Sequence, residues 1–409
     1  MDKKRILYVE YNTDGTVGGS HFSLLFLVEG LNKKKYSPLV VFYQKNQLIP
    51  RFEQAGCKIL LLRKTKPVNF LESLPWLINL SHYLVLRLLL IGPLIIFQKI
   101  INYFITFIFP SFSCWNILRK ERIDLIHLNN TLLRPQQWIL ASLFTKAKII
   151  AHERGINNLF PFQSRFWARN LKAIICISDA VKNNLLKYEF PPAKLYRIYN
   201  GLDPDKFIVT KTKEETLKEF AIETGCHVVG IVGNIKPWKG QETVIRSMKH
   251  VRKQFPNIKC LLIGGVSPFH RAYLTHLENI IKSEKLEDCI IFTGQTNDVP
   301  SFINSLSVLV HASTEPEPFG RVLLEGMALR KPVISTNIGA VPEIVKEGKT
   351  GLLVSPGDVK SLAGAIISIL KTPQKAMEMG KFGRIRLEKY FHISGNVKKT
   401  EELYSRILC

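Results

Sequence analysis

Two glutamates, Glu317 and Glu325, stand with seven residues between them in the passage that runs from His311 through Pro316, Pro318, Phe319 and Gly320. A carboxylate oxygen accepts hydrogen bonds from vicinal hydroxyls, so acids in this arrangement suit a sugar. A strand is expected to end near His311, and a helix to begin around Phe319-Gly320. The first backbone N–H groups of a helix lack intrahelical partners and carry the positive end of its dipole, an arrangement suited to a diphosphate. Gly320 has no side chain to hold a phosphate away from the backbone. One carboxylate can then hold a transferred hexose and the other a ribose, on either side of the diphosphate. By themselves two glutamates are more often a solvated loop acid and an ordinary helix residue.

The elements that must position these groups recur along the chain. Short apolar runs alternate with amphipathic stretches, as in parallel sheets covered by helices. The pattern predicts strands at Ile6–Val9, Leu39–Phe42, Ile59–Leu62, Leu125–Leu128, Ile149–Ala151 and Ala173–Ile177, then at Val228–Val232, Ile258–Ile263, Ile290–Phe292, Val308–His311 and Pro332–Ser335. It restarts after about residue 205, where Asp203-Pro204-Asp205 and Lys211–Lys218 read as a linker. A length of 409 residues also calls for two domains. Two such sheets place ligands at the carboxyl ends of their strands.

The net charge of +24 is uneven: residues 1–200 hold 28 Lys and Arg against 11 Asp and Glu. A basic half of this kind either meets an anionic surface or is simply a solvated cationic face. No helix-turn-helix, zinc-finger spacing or aromatic RNA-binding motif is present, so nucleic acid is not the expected partner. From Leu74 to Phe112 the chain is nearly all apolar, and Gly92-Pro93 divides it into two stretches of about 15 residues, each short of a bilayer span. Gln98, Asn102 and Thr106, spaced by four, would line one stripe of a helix, with Lys99 beside it. This pattern favours a monotopic element lying in the interface of an anionic membrane, with Lys64, Lys66, Arg87, Arg119, Lys120 and Arg122 near the headgroups. A buried helix pair and a transmembrane hairpin remain alternatives. The seven cysteines are scattered without a C-x-x-C pair, which predicts buried thiols in a reducing compartment and neither a disulfide framework nor a zinc site.

Several stretches, taken in order, resemble glycosyltransferase family 4. They are the Glu317/Glu325 pair with Pro-Phe-Gly after the first acid, and Val232-Gly233-Asn234-Ile235-Lys236-Pro237-Trp238-Lys239-Gly240. With them go the turn Asn200-Gly201-Leu202-Asp203 and the segment Gly339-Ala-Val-Pro-Glu343-Ile-Val. In the first half Gly18-Gly19, His152 and Ser178 fall at similar positions. The resemblance covers almost the whole chain outside the apolar segment.

It implies an α/β GT-B fold of two Rossmann-like doubly wound domains facing a central cleft. Residues 1–205 form the acceptor-side domain with the apolar helical insertion, 206–385 form the donor domain, and the helix at 386–409 returns to the first. It further implies retaining hexosyl transfer from a nucleotide-sugar; the apolar segment adds the expectation of a glycan or lipid-linked acceptor at the cytoplasmic face of the membrane. Carried over residue by residue, Lys239 neutralises the donor diphosphate, Glu317 meets the hexose, Glu325 the ribose, and the backbone of Phe319 and Gly320 the phosphates. Gly18 and Gly19 let the first helix approach the donor closely, His152 faces the reacting sugar, and His127 is an acceptor-side candidate.

Asn234 departs from the family's arginine and cannot supply its charge; Lys236 compensates, or Asn234 turns to sugar hydroxyls. No metal or other cofactor is expected, and Asp203-Pro204-Asp205 is not expected to bind one. The competing readings are an inactive membrane-docked binding protein and a nucleotide-sugar epimerase.

Overall fold

The structure is a computed structural model that describes residues 2–12, 17–70 and 92–409. Contacts divide it into two compact units. One is Met1–Cys176 with Leu186–Tyr196 and Thr400–Cys409; the other is Ile177–Leu185 with Arg197–Lys399.

In the first unit the apolar runs become β1 (Lys4–Glu10), β2 (Tyr36–Phe42), β3 (Lys58–Leu61), β4 (Leu125–Leu128), β5 (Lys148–Glu153), β6 (Ala173–Cys176) and β7 (Leu195–Arg197). They form one seven-stranded sheet in the order β3-β2-β1-β4-β5-β6-β7, with β1 parallel to β2 and β4, and β5 parallel to β4 and β6. Strands covered on both faces read as continuous apolar runs, as these do. The register sets Tyr8 opposite His127 and His127 opposite Ile150. His152, two residues beyond Ile150, falls on the same face of the sheet.

The second sheet holds β8 (Val228–Val232), β9 (Lys259–Ile263), β10 (Ile290–Gly294), β11 (Val308–His311), β12 (Val333–Thr336) and β13 (Gly351–Val354), in the order β10-β9-β8-β11-β12-β13. Its core joins Val229, Ile231 and Val310 of the sheet to Val244 and Met248 of the helix Gln241–Arg252 and to Leu362 and Ile366 of the helix Val359–Lys371. Each fully buried side chain of this size contributes about 1.5–3 kcal/mol. Strand order reverses between β1 and β4 in the first sheet and between β8 and β11 in the second, so each has a crevice at the carboxyl ends of those strands. Both sheets are Rossmann-like, as expected.

Two details differ from the sequence reading. Lys211–Lys218, expected as linker, contains the helix Lys213–Lys218, closed by a reciprocal cap: Glu215 N donates to Thr212 Oγ1 at 3.1 Å and Thr212 N to Glu215 Oε2 at 2.7 Å. The edge strands β7 and β13 were not expected.

The apolar segment was expected as two short stretches. Its first part, residues 74–91, lies outside the described residues. The remainder belongs to one helix, Gly92–Lys120, of 29 residues. At 1.5 Å per residue it is about 43 Å long, enough by length to cross a bilayer. Pro110 does not break it, because a π-helical turn over Phe104–Ile108 widens the helix just before the ring.

The predicted polar stripe faces the chain itself. Gln98 Nε2 donates to Asn69 Oδ1 (3.1 Å), Asn102 exchanges two bonds with the Val68 backbone (2.7 and 2.8 Å), and Thr106 Oγ1 donates to the Asn102 carbonyl (2.6 Å). Ile96, Ile100 and Phe104, about 200° away around the helix, are 60%, 51% and 46% exposed. This is the reverse of a helix lying on a water-soluble core.

Candidate active site

In the second unit the carboxyl ends of β8 and β11 lie side by side, with Val310 paired to Ile231. After β8 the chain turns through Pro237–Lys239 into Gly240, whose φ is 73°. A Cβ there would lie 1.9 Å from the Ala312 carbonyl oxygen, so only glycine lets this loop rest against the exit of β11. That contact delivers Lys239. Its Nζ lies 2.9 Å from Glu317 Oε2 and 3.9 Å from the centroid of the Trp238 ring.

Glu317 is held from both sides. Gly339 has φ 61°, and a Cβ on it would lie 2.4 Å from the Glu317 carbonyl oxygen; Ala340 N donates to the same oxygen at 2.9 Å. Glu317 Oε2 also meets His311 Nε2 at 3.2 Å and Ser313 Oγ at 3.1 Å. Burial by itself would raise the pKa of this carboxyl. The His311 hydrogen bond and the Lys239 charge overcome that and hold it well below the usual carboxylate range. The site is therefore a buried, ionised acid tied to an ammonium group.

Next comes the helix Arg321–Ala328, capped by Gly320 in the left-handed region with φ 83°. The Phe319 side chain is buried against Tyr199 and Phe391, with ring centroids 6.2 and 6.1 Å away. The Phe319 ring is therefore taken up by packing. Glu325 lies in the helix, 3.3 Å from Arg321 Nη2. Asn234 is exposed, its carbonyl accepting from Gln241 Nε2 at 3.1 Å, and Lys236 is half-buried.

Other motif residues brace this loop. Ser178 Oγ donates to the Pro318 carbonyl at 2.7 Å, and the Glu343 carboxylate accepts from Asp179 N and Ala180 N at 2.8 Å each. Asp205 pairs with Arg384 Nη2 at 2.7 Å. Among the described residues no three His, Cys, Asp or Glu side chains group as a metal site.

In the first unit Gly18 caps the helix Gly19–Gly30, and a Cβ on it would meet nothing within 4 Å among the described residues. His152, near the end of β5, is buried. Arg154 Nη2 lies 3.2 Å from His152 Nδ1, and since a guanidinium only donates, Nδ1 carries the lone pair. Nε2 then carries the proton, and it has no hydrogen-bond partner among the described residues.

His127 departs from the acceptor-side expectation. It is fully buried, and both ring nitrogens are engaged, Nε2 with His152 Nδ1 at 3.2 Å and Nδ1 with the Tyr404 hydroxyl at 2.5 Å. It orients His152 and presents no atom to a ligand. The Tyr404 hydroxyl lies in turn 3.1 Å from that of Tyr8. Burial, then the Arg154 charge, lower the His127 pKa to about 3 and hold that of His152 well below its ordinary value. Both rings are neutral.

Sequence reasoning missed His311, Ser313, Arg154 and Tyr404. The first three sit in or beside motifs already singled out, two of them within His311-Ala-Ser313. Nothing near Tyr404 in sequence announces it, because its partner is 277 residues away.

Two family descriptions together account for most of the chain. Glycosyltransferase Family 4 matches residues 17–206, and Glycosyl transferases group 1 matches residues 212–386. The N-acetyl-alpha-D-glucosaminyl L-malate synthase of Bacillus anthracis is 24% identical over 342 residues, spanning 79% of this chain and 87% of that protein. The capsular polysaccharide biosynthesis glycosyltransferase CapM of Staphylococcus aureus is 28% identical over 246 residues, 58% and 62% of the two chains. Among solved structures, Anabaena HepE in complex with UDP-glucose superposes with a TM-score of 0.79 at 20% identity, covering 98% of this chain and 99% of that one; this is a likeness of fold. The chain is a nucleotide-sugar glycosyltransferase of GT-B fold and belongs to the group 1, family 4 glycosyltransferases.

Proposed function

We propose that this enzyme transfers a hexose, with retention of anomeric configuration, from a nucleoside-diphosphate sugar to a glycan or lipid-linked acceptor at a membrane surface, in the synthesis of a surface polysaccharide. The observation that carries the donor half is the Lys239–Glu317 pair at 2.9 Å, beside the amino end of the helix Arg321–Ala328. An arriving diphosphate competes with Glu317 for the Lys239 ammonium, which then balances the charge that grows on the leaving group. The backbone N–H groups at Phe319 and Gly320 add to that balance. Glu317, released from the lysine, keeps His311 and Ser313 and turns its acceptor capacity to the sugar hydroxyls. Glu325 is assigned to the ribose, and the exposed Asn234 with Lys236 to the outer edge of the donor, with Gly18 and Gly19 allowing close backbone approach. His152 offers its Nε2–H to the sugar as a neutral donor.

In the reaction the bond from the anomeric carbon to the phosphate oxygen breaks and its electrons leave with the nucleoside diphosphate. The acceptor oxygen bonds to the same face of that carbon, and its proton passes to the departing phosphate. No step needs a covalent enzyme intermediate.

Support for the membrane comes from the reversed helix Gly92–Lys120, whose apolar face is turned outward and favours attachment by the first unit; the inner face of the cell membrane is assigned as the site of that attachment. The name of the CapM relative, capsular polysaccharide biosynthesis, fits a surface polymer as product.

The test is nucleotide release from a panel of UDP-, GDP- and ADP-sugars, with and without a membrane lipid extract. UDP-sugars come first, because the neighbouring HepE structure holds UDP-glucose. Lipid-dependent release of one nucleoside diphosphate, with a glycosylated lipid as product, supports the reading. Release with conversion of the sugar and no transfer would point to an epimerase, and no release from any donor would point to a binding role.

A further inference from the structure

The amino ends of β5, β6 and β7 lie at the end of the first sheet opposite His152. A cavity of about 710 Å³ opens there, lined by Lys146, Lys148, Arg169, Lys172 and Lys194. Each strand entry supplies part of it: Lys146 and Lys148 at β5, Arg169 and Lys172 ahead of β6, and Lys194 ahead of β7. Among the described residues lining this cavity there is no carboxylate. The crowding registers on Lys194, whose pKa is lowered by burial and then by the charge of Lys172. Five cations around one hollow without a counter-charge repel one another, and an anion seated among them relieves that cost.

Aromatic rings flank the hollow on both sides, on one side beside the Arg165–Glu189 ion pair at 3.6 Å. Through Ser142 and Leu143 the hollow adjoins a second cavity of about 620 Å³ lined by Phe112, Trp115, Leu140 and Phe144, on the helix Gly92–Lys120 and the helix Gln136–Leu143 with the residue after it. On the other side Arg169 and Lys194 also line a pocket with Phe162 and Phe166. The outermost rings are well exposed: Phe112 63%, Phe144 70% and Phe162 71%. The two flanks are tied together through Phe107, whose ring lies 5.7 Å from that of Trp167. A soluble anion needs no aromatic side chains standing in solvent on either side of it. A bilayer offers both chemistries at adjacent depths, phosphate over hydrocarbon.

We propose that this basic hollow seats the phosphate of an anionic phospholipid within a bilayer, while Phe112, Phe144 and Phe162 enter the acyl boundary around it. The proposal deepens the membrane reading above and rests on it. It defines a headgroup site about 13 Å along β5 from His152, at the strand end that the transfer reaction does not use.

The test is co-sedimentation of the full chain with vesicles of phosphatidylcholine alone and with roughly one third phosphatidylglycerol. The native chain should bind the anionic vesicles more tightly, and the double variant Lys146→Gln/Lys172→Gln should lose about tenfold or more of that preference. Arg169→Gln is the independent variant should the double variant fail to fold, as judged by thermal melting. Phe144→Ser should weaken binding to both vesicle types. Native binding that both charge variants leave intact overturns the headgroup site while membrane attachment stands. Equal binding of the native chain to both vesicle types does the same. Binding of the native chain to neither overturns attachment and headgroup site together. Hydrolysis of donor without lipid should be unchanged in the charge variants, which separates this site from the transfer site.

Discussion

The carboxyl end of the second sheet is built on an ionised acid paired with an ammonium group, and that of the first on two neutral imidazoles. Around Glu317 a buried acid stays ionised because Lys239, His311 and Ser313 all point at one of its oxygens. Around His152 two imidazoles stay neutral because burial and Arg154 disfavour a second proton. The difference fits the work proposed for each. A diphosphate leaving group needs a cation that can be transferred to it, and Lys239 is stored on a carboxylate until then. A sugar hydroxyl needs a donor of fixed direction, and a neutral Nε2–H held by a chain of hydrogen bonds supplies one without attracting a stray anion.

Substitutions should separate the two sites by size and by kind of effect. Lys239→Ala should be the most severe, lowering donor turnover by a hundredfold or more, about 3 kcal/mol, and weakening UDP binding as well. Glu317→Gln should lower turnover by roughly a hundredfold, yet leave UDP affinity equal or higher, because the competing carboxylate charge is gone. If both variants lost UDP affinity alike, the storage argument would fail. On the other sheet His152→Ala should cost about tenfold or more in turnover with UDP affinity unchanged. Tyr404→Phe should do least, a few-fold in turnover, since the hydroxyl it removes bonds His127 and Tyr8 and acts on His152 only through His127; steady-state rates beside melting curves check both.

Acid stability sharpens the contrast. His127 has a folded pKa near 3 against 6.5, and His152 is lowered in the same direction. Between pH 6.5 and about 5 the unfolded chain binds protons at both that the folded chain refuses, so stability is lost as pH falls. Glu153, beside them, acts oppositely. Burial raises it to about 7 against the backbone bonds from Leu132 and Gly155, so its contribution is lost as pH rises through that value. Two histidines outweigh one acid, leaving a net slope of about 1.4 kcal/mol per pH unit in that window. His127→Asn removes one proton from the balance and should flatten the fall in melting temperature. An unchanged slope would show that the pair is not held neutral.

Much of this was legible in residue order. Eleven strands announced themselves as apolar runs, and the Glu317-Pro-Phe-Gly320 passage named its helix start to within a residue or two. The strands that escaped, β7 and β13, lie at sheet edges: β7 has only three residues, and β13 begins on Gly351, so that only three apolar residues remain to signal it. The capped helix at Lys213–Lys218 carried its signal in Thr212-x-x-Glu215, hidden by a charge run that read as linker. Side-chain partnerships were the least visible. His127 lies beside His152 only because parallel pairing places their strands side by side, and Tyr404 reaches them from the end of the chain. Sequence spacing bears on neither contact.

The most direct test of the central claim, that Lys239 is held for a diphosphate, is calorimetric titration of UDP into the native chain and into Lys239→Ala, Glu317→Gln and His152→Ala. The account predicts that UDP binds the native chain, that Lys239→Ala loses about tenfold or more in affinity, and that the other two lose none. Equal affinity in the native chain and Lys239→Ala would contradict it.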